Sequence, residues 1–524
     1  MAGTDAEWAA KLAKINKSKA VFKSGVTRSW EWREQQLKQF VKFLDNEKET
    51  IRDAITADLG RPHLEFTIEW MNMKNAVNFM LKNGKSLMKD EKVSGGMMNM
   101  TNSLFRHPEP LGTVLIMGAW NYPFDQGSKF WPKVDCESAG CTAIVKPSEV
   151  AKASSKVIFD VLPKYLNSDA FPVFVEGPEG ATRMLKERYD LIFFTGGTKI
   201  GKIVYKAAAE HLTPCILELG GQNPCWVDEG YDLNLAAKRI LFGKVINSGQ
   251  ICISPNYLLC TKATRERLVP ELKKIFKEFY PEGPKISDCY SGKMVTERHY
   301  KRLVGLLGSA DRNNLSLVFV QNRFCPILFA FADDFLNFTT SLSRGKMVIN
   351  LKIILFLLPN SHLAKLVIAT VDFTDQHLTA LTETIVKAAK IFILPTVVVD
   401  VTMDDILMEE ELFGPILPIV TVDNFDDALE KVHSLEKPLA AYCFAHDKKI
   451  INRWVTEVCS GGMCINDTIM HISPETLRVW WRWRVRNRRL SWQNVFSNFL
   501  ALQKCDGRRN ASISAEETLS ALLK

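Results

Sequence analysis

The stretch Asn247-Ser248-Gly249-Gln250-Ile251-Cys252-Ile253-Ser254-Pro255 decides the reading of this chain. About thirty residues earlier stands Glu218-Leu219-Gly220-Gly221. A lone cysteine is more often a small buried hydrophobe than a nucleophile. The neighbours of Cys252 favour chemistry, because polar helical residues run into a Ser-Gly turn. That turn can hold the thiol at the end of an element, with backbone N–H groups close by. Such donors lower a thiol pKa and can hold an oxyanion. Glu218 lies in the apolar, strand-like run Pro214-Cys215-Ile216-Leu217-Glu218-Leu219, closed by Gly-Gly. A carboxylate there is either paired, or kept near neutrality by desolvation and available as a base.

The two motifs, at this separation, resemble the aldehyde dehydrogenase superfamily. His211-Leu212-Thr213-Pro214 and Cys225-Trp226-Val227-Asp228 point to its class 3, fatty and aromatic aldehyde branch. The resemblance implies an α/β fold: a doubly wound dinucleotide-binding domain, an α/β catalytic domain carrying Cys252, and a bridging ribbon. It implies NAD as cofactor, with NADP possible, a small-molecule aldehyde as substrate, and a homodimer. Cys252 would be the nucleophile and Glu218 the base that activates water.

The whole chain agrees with a soluble enzyme. Its 524 residues and 59.3 kDa allow two or three domains. Hydrophobic content of 46% and charged content of 24% are ordinary for globular proteins. The net charge of +8 is modest for this size, and Lys and Arg are dispersed through the first 470 residues, which reads as a solvated surface and no nucleic-acid face. Twelve Cys without any C-x-x-C spacing fit reduced thiols, with no metal site expected. Residues 1–20 lack the apolar core of a signal peptide. The most apolar run, Val348 to Leu358, is interrupted by Asn350 and Lys352 and falls short of a membrane span. The expectation is a cytoplasmic protein with no stable membrane anchor.

Taken in order, residues 27–90 read as amphipathic helices, with Trp30, Leu37, Phe40, Val41 and Leu44 at helical spacing. Gly60-Arg61-Pro62 reads as a break. Val114-Leu115-Ile116-Met117-Gly118 is a buried-strand signal ahead of Trp120-Asn121-Tyr122-Pro123. A lone Asn there is ordinarily a turn former; the resemblance makes Asn121 an amide donor to the oxyanion. The next segment, 125–137, is longer and more polar than the small-residue helix of relatives.

Ala143-Ile144-Val145-Lys146-Pro147-Ser148-Glu149 is a strand running into a polar turn. By resemblance Lys146 holds the adenosine ribose and Glu149 lies at its 2′-hydroxyl. A carboxylate there repels a 2′-phosphate, which favours NAD over NADP. An apolar strand then leads through Thr195-Gly196-Gly197-Thr198 to Gly201-Lys202, a phosphate cradle at a helix N-terminus. Gly196 to Lys202 also nearly spells a P-loop, but Ile203 stands where Walker A needs Ser or Thr for Mg²⁺. Further on, Glu411 and Phe413 match family positions at the nicotinamide ribose and ring.

The resemblance covers roughly residues 20–308 and 385–477. The domains expected are 1–225 for the N-terminal helices and NAD-binding domain, with 97–112 in the ribbon, and 226–440 for the catalytic domain. Residues 441–477 would return to the NAD-binding domain. Within the catalytic domain, 309–380 is an anomalous apolar insertion, read as retained non-coding sequence or an accreted subdomain. Residues 478–524 form an aberrant tail rich in Trp and Arg. It is either a basic aromatic arm or the product of a one-base frame shift near Leu477. Read one base later with permitted codons, the tail spells the Gly-rich run of relatives. Such a tail makes the family homodimer doubtful and opens a second reading: a catalytically impaired paralogue or defective gene product.

Overall fold

The computed structural model describes residues 5–92, 104–124, 139–281, 292–312, 316–317, 340–343, 346–349 and 391–472. Segment 125–137, most of 309–380 and the tail from 478 lie outside these residues. The N-terminal helices are α1 (Asp5–Lys23), α2 (Trp30–Asn46), α3 (Lys48–Leu59) and α4 (His63–Leu87). Ser29 caps α2, its hydroxyl accepting from the Trp32 N–H at 3.2 Å. The face of α2 carrying Trp30, Leu37, Phe40 and Leu44 is buried, and each such side chain contributes about 1.5–3 kcal/mol. α3 ends at Gly60, whose φ of +60° is the left-handed cap that glycine adopts freely. Pro62 precedes α4, so the expected break leaves Arg61 alone between two helices.

A short ribbon pairs β1 (Glu91–Lys92) antiparallel with β2 (Phe105–Arg106). The first main sheet holds β3 (Thr113–Met117), β4 (Thr142–Lys146), β5 (Leu191–Gly196) and β6 (Cys215–Leu219) in the order β4-β3-β5-β6, all parallel. Helices α5 (Lys152–Asp160), α6 (Pro178–Met184) and α7 (Thr198–Ala209) lie between these strands in the chain. The chain runs outward from β3 to β4 and then crosses back to β5, so the strand order reverses beside β3. In open parallel sheets the crevice at that reversal, outside the carboxyl ends of the strands, is where nucleotides bind. Lys146, Gly196 and Glu218 lie at those carboxyl ends.

The second sheet holds β7 (Pro224–Val227), β8 (Tyr257–Thr261), β9 (Ser316–Leu317), β12 (Thr396–Val401), β13 (Ile416–Val422), β14 (Ala440–Phe444) and β15 (Gly462–Ile465). Its order is β15-β14-β7-β8-β13-β12-β9, parallel except for β9. Between its strands the chain forms α8 (Leu233–Val245), α9 (Lys262–Phe279), α10 (Glu297–Arg312), α11 (Phe425–Ser434) and α12 (Lys448–Glu457). A hairpin of β10 (Thr340–Ser343) and β11 (Lys346–Ile349) belongs to a separate unit.

This topology corrects one expected boundary. Residues 441–465 do not rejoin the nucleotide sheet: β14 pairs with β7, and β15 with β14, beside the strands that flank Cys252. Every residue of β14 is buried, as suits an interior strand of a parallel sheet covered on both faces. The P-loop reading also fails. α7 begins at Thr198, so Gly201 and Lys202 stand inside the helix and not in a phosphate-wrapping loop. A Cβ on Gly201 would come within 2.7 Å of Leu219, so this glycine serves close packing of helix on sheet.

Candidate active site

Cys252 follows a backbone conformation that few sequences adopt. After α8 the residues Asn247 and Ser248 have φ of 49° and 53°, and Gly249 follows at 69°. Left-handed backbone in a non-glycine residue costs on the order of 1–3 kcal/mol and persists only where the surroundings impose it. At Gly249 a side chain would also run into the Gly414 carbonyl. The surroundings are hydrogen bonds to three other segments and within the turn itself. The Asn247 N–H donates to Glu65 at 2.9 Å, and its carboxamide donates to the carbonyls of Asn121 at 3.0 Å and Gln250 at 3.1 Å. The Ser248 hydroxyl donates to the Gly292 carbonyl. The Gln250 side chain donates to the carbonyls of Asn247 at 3.0 Å and Lys293 at 3.1 Å, and accepts from the Val295 N–H at 3.1 Å.

The far side of the cysteine is held by Asn223, which is fully buried. Its Nδ2 donates to the carbonyls of Cys252 at 2.8 Å and Ser254 at 2.9 Å, while its Oδ1 accepts from the Ala440 N–H at 2.8 Å. The Tyr442 hydroxyl donates to the Ile253 carbonyl, and Lys244 Nζ to the Pro255 carbonyl at 3.0 Å. Asn223 just before β7, Lys244 of α8 and Tyr442 of β14 thereby fix the backbone at and after the cysteine.

The electrostatics run against the expectation of a lowered thiol pKa. Burial pushes the Cys252 thiol up to about 12, with the charges of Glu411 and Glu218 adding to the rise. The backbone N–H groups of Cys252 and Ile253 act in the expected direction and are outweighed. Desolvation alone raises Glu218 to about 8, as the apolar strand predicts for an unpaired carboxylate. Glu411 also rises to about 8, chiefly by burial, against the N–H of Gly221 and the charge of Lys244. Lys244 falls to about 7 for the same reason, partly offset by Glu411. The charges of two carboxyl groups that titrate near neutral pH therefore act on the thiol.

Asn121 follows β3 and is buried. Its Nδ2 donates to the Gln250 carbonyl at 3.0 Å, which uses one of its two hydrogens and leaves the other to a ligand. The neighbouring Trp120 ring meets those of His299 at 5.0 Å and Phe413 at 5.3 Å, both edge-on. Phe413 has a φ of 50°, and Glu411 packs against Gly220, where a Cβ would strike its carboxylate. Cys252, Glu218, Glu411, Asn121 and Phe413 thus converge on one region.

Lys146, Glu149 and residues 195–201 gather at the carboxyl edge of the first sheet. Lys146 is buried and donates to Glu149 at 2.8 Å. Gly197 caps α7, with nothing within 4 Å of where its Cβ would stand. Thr195 Oγ1 is buried with no hydrogen-bond partner. An open helix N-terminus, an orphaned hydroxyl and a polar pair at the strand ends suit a dinucleotide. Among the described residues no group of three or more His, Cys, Asp or Glu side chains could hold a metal ion.

Comparison with known families matches residues 4–324 and 361–477 to the Aldehyde dehydrogenase family. The chain belongs to that family. It is 35% identical over 465 residues to aldehyde dehydrogenase family 3 member B1 of Rattus norvegicus, covering 88% of this chain and 84% of the relative. It is 32% identical to the dimeric NADP-preferring aldehyde dehydrogenase of Canis lupus familiaris, covering 88% and 87%. Among solved structures, the substrate-bound state of Staphylococcus aureus AldH superposes with a TM-score of 0.72 at 30% identity, covering 90% of this chain and 88% of that one. The protein is an oxidoreductase of the aldehyde dehydrogenase class. The stretch left outside the family match, 325–360, is narrower than the 309–380 set apart in the sequence.

Sequence reasoning missed Arg61, Glu65, Asn223 and Lys244. Only Lys244 left a signal, a cation on an otherwise apolar helix end eight residues before the cysteine. Arg61 is buried and touches Glu69, the Asn121 carbonyl and Asn247. Burial raises the neighbouring Glu65 to about 7.

The raised thiol pKa predicts slow alkylation of Cys252 by iodoacetamide in the ligand-free protein. The thiolate fraction should climb about tenfold per pH unit between about pH 7 and pH 10. Peptide mass spectrometry of the Cys252 fragment reads this rate, and a plateau below pH 8 would contradict the burial argument.

Proposed function

We propose that this chain oxidises aldehydes to carboxylic acids with NAD, through covalent intermediates on Cys252. What supports the proposal is the Asn121 carboxamide bound to the Gln250 carbonyl two residues before a buried thiol, with Glu218 and Glu411 close enough for their charges to act on that thiol. The Cys252 sulfur attacks the aldehyde carbon, a C–S bond forms, and the carbonyl π pair moves onto oxygen. That oxyanion is received by the second hydrogen of Asn121 Nδ2 and by the Cys252 backbone N–H. Removing one such donor typically costs about 3–4 kcal/mol of transition-state stabilisation. The thiol proton leaves to a carboxylate, and Glu218 is the group at hand when ionised.

The nicotinamide, when bound, supplies the hydride acceptor that takes the thiohemiacetal to a thioester. Lys146, Glu149, Thr195, Gly196, Gly197, Thr198 and Gly201 would hold the dinucleotide, with Glu411 and Phe413 at its nicotinamide end. Glu218 loses the thiol proton to solvent, then as carboxylate takes a proton from water; the hydroxyl adds to the thioester carbon, and the C–S bond breaks to release the acid and the Cys252 sulfur. A folded carboxyl near 8 is mostly protonated below that pH, so this step gains rate as pH rises toward about 8.

The location proposed is cytoplasmic, and the assembly is the family's homodimer if the aberrant tail permits it. Phe105 and Leu111, exposed in and beyond the β1–β2 ribbon, support a contact there. No helix among the described residues is long and apolar enough to cross a membrane.

Purified protein given NAD and a panel of aliphatic and aromatic aldehydes should form NADH, and Cys252→Ala should abolish this while leaving NAD binding nearly intact. An inactive wild type would favour the second reading, a chain that keeps the fold without turnover. For the cofactor, Glu149 places a carboxylate beside Lys146 at the ribose end, which disfavours a 2′-phosphate. Glu149→Gln should narrow the kcat/KM gap between NAD and NADP several-fold, and an unchanged ratio would mean that the ribose is read elsewhere.

A further inference from the structure

We propose that Arg61 is a positioning residue for acylation: its buried guanidinium ties Asn121 and Asn247 together, and through Asn247 holds the turn that presents Cys252. The proposal rests on the cysteine mechanism above and adds a residue outside the sequence motifs of that mechanism. Arg61 is 1% exposed, so its charge and its N–H groups must be satisfied inside the protein. Its Nη1 pairs with Glu69, which balances the charge. Its remaining contacts all go to the active centre. Nη2 donates to the Asn121 carbonyl, Nε donates to Asn247 Oδ1 at 3.3 Å, and the guanidinium lies 4.4 Å from the centroid of the Tyr122 ring.

These bonds close a ring. Arg61 binds Asn121 and Asn247; Asn247 Nδ2 donates to the same Asn121 carbonyl at 3.0 Å and to the Gln250 carbonyl at 3.1 Å; Asn121 Nδ2 donates to that Gln250 carbonyl at 3.0 Å. The carboxamide that would face the oxyanion is thus fixed at both its backbone and its side chain. The left-handed Asn247 is fixed from its Oδ1, its Nδ2 and its N–H, the last by Glu65 at 2.9 Å. A purely structural ion pair needs Glu69 alone. A planar fork with several fixed donors can bind two acceptors and a carboxylate at once, whereas a lysine ammonium is a compact point charge.

The test is a double-mutant cycle. Wild type, Arg61→Lys, Asn121→Ala and the double variant are compared in steady-state turnover with NAD and the most reactive aldehyde of the panel. NAD affinity is read separately from protein fluorescence. Arg61→Lys keeps a cation beside Glu69, and should lower kcat about 10- to 100-fold, as small misplacements of a catalytic group do. NAD affinity should stay within about twofold of wild type, and in the Asn121→Ala background the same change should cost less than about threefold. Multiplying losses in the double variant, or unimpaired kcat in Arg61→Lys, overturns the proposal while leaving the cysteine mechanism standing. No turnover in the wild type overturns the mechanism and this proposal with it. If Arg61→Lys fails to fold, Asn247→Gly removes the same acceptor, keeps the left-handed backbone accessible, and serves in the same cycle with the same outcomes.

Discussion

Three successive residues in left-handed backbone, Asn247, Ser248 and Gly249, are the constraint on which this active centre depends. Two of them carry side chains, so the turn is unfavourable by itself. It exists because donors and acceptors from the α3–α4 junction, the Asn121 loop and residues 292–295 bind it, while Gly414 packs tightly beneath it. Asn223, reaching from β7, then fixes the chain after the turn at the carbonyls of Cys252 and Ser254. The cysteine is placed by segments both near to it and far from it in sequence.

The same burial that secures the turn sets its chemistry. Low-dielectric surroundings disfavour every charged form, so Lys244 falls to about 7 while Glu218 and Glu411 rise to about 8. An apolar strand brings Glu218 near neutral pH by desolvation alone, which suits the base role proposed for it. Burial likewise lifts the thiol, to about 12, and the charges of two carboxyl groups add to the rise. Its ionisation is therefore coupled to theirs.

The turn before Cys252 and the apolar strand that carries Glu218 were legible in the sequence because their signals are local: a few residues and a Gly-rich end. The helices from Trp30 to Leu59 and strands such as Thr113–Met117 were equally legible, since periodicity and β-branched runs report burial directly. The sign of the thiol shift was not. Adjacent N–H groups can be read from a turn, whereas the burial of the thiol, and the charge of Glu411 from far along the chain, depend on the fold. The placement of β14 was misjudged for a related reason: Ala440-Ala441-Tyr442-Cys443-Phe444 is apolar throughout and would suit the interior of either sheet. Arg61 looked like part of a helix break, and only the fold shows a buried guanidinium between two asparagines.

The central claim is that Cys252 carries the substrate carbon as a thioester that Glu218 releases. Glu218→Gln protein, incubated with NAD and a reactive aldehyde, quenched in acid and digested, tests it most directly by peptide mass spectrometry. The account predicts that the Cys252 peptide gains the mass of the corresponding acyl group, and that this adduct does not build up in the wild type under turnover. An unmodified Cys252 peptide in a Glu218→Gln protein that has formed NADH would contradict it.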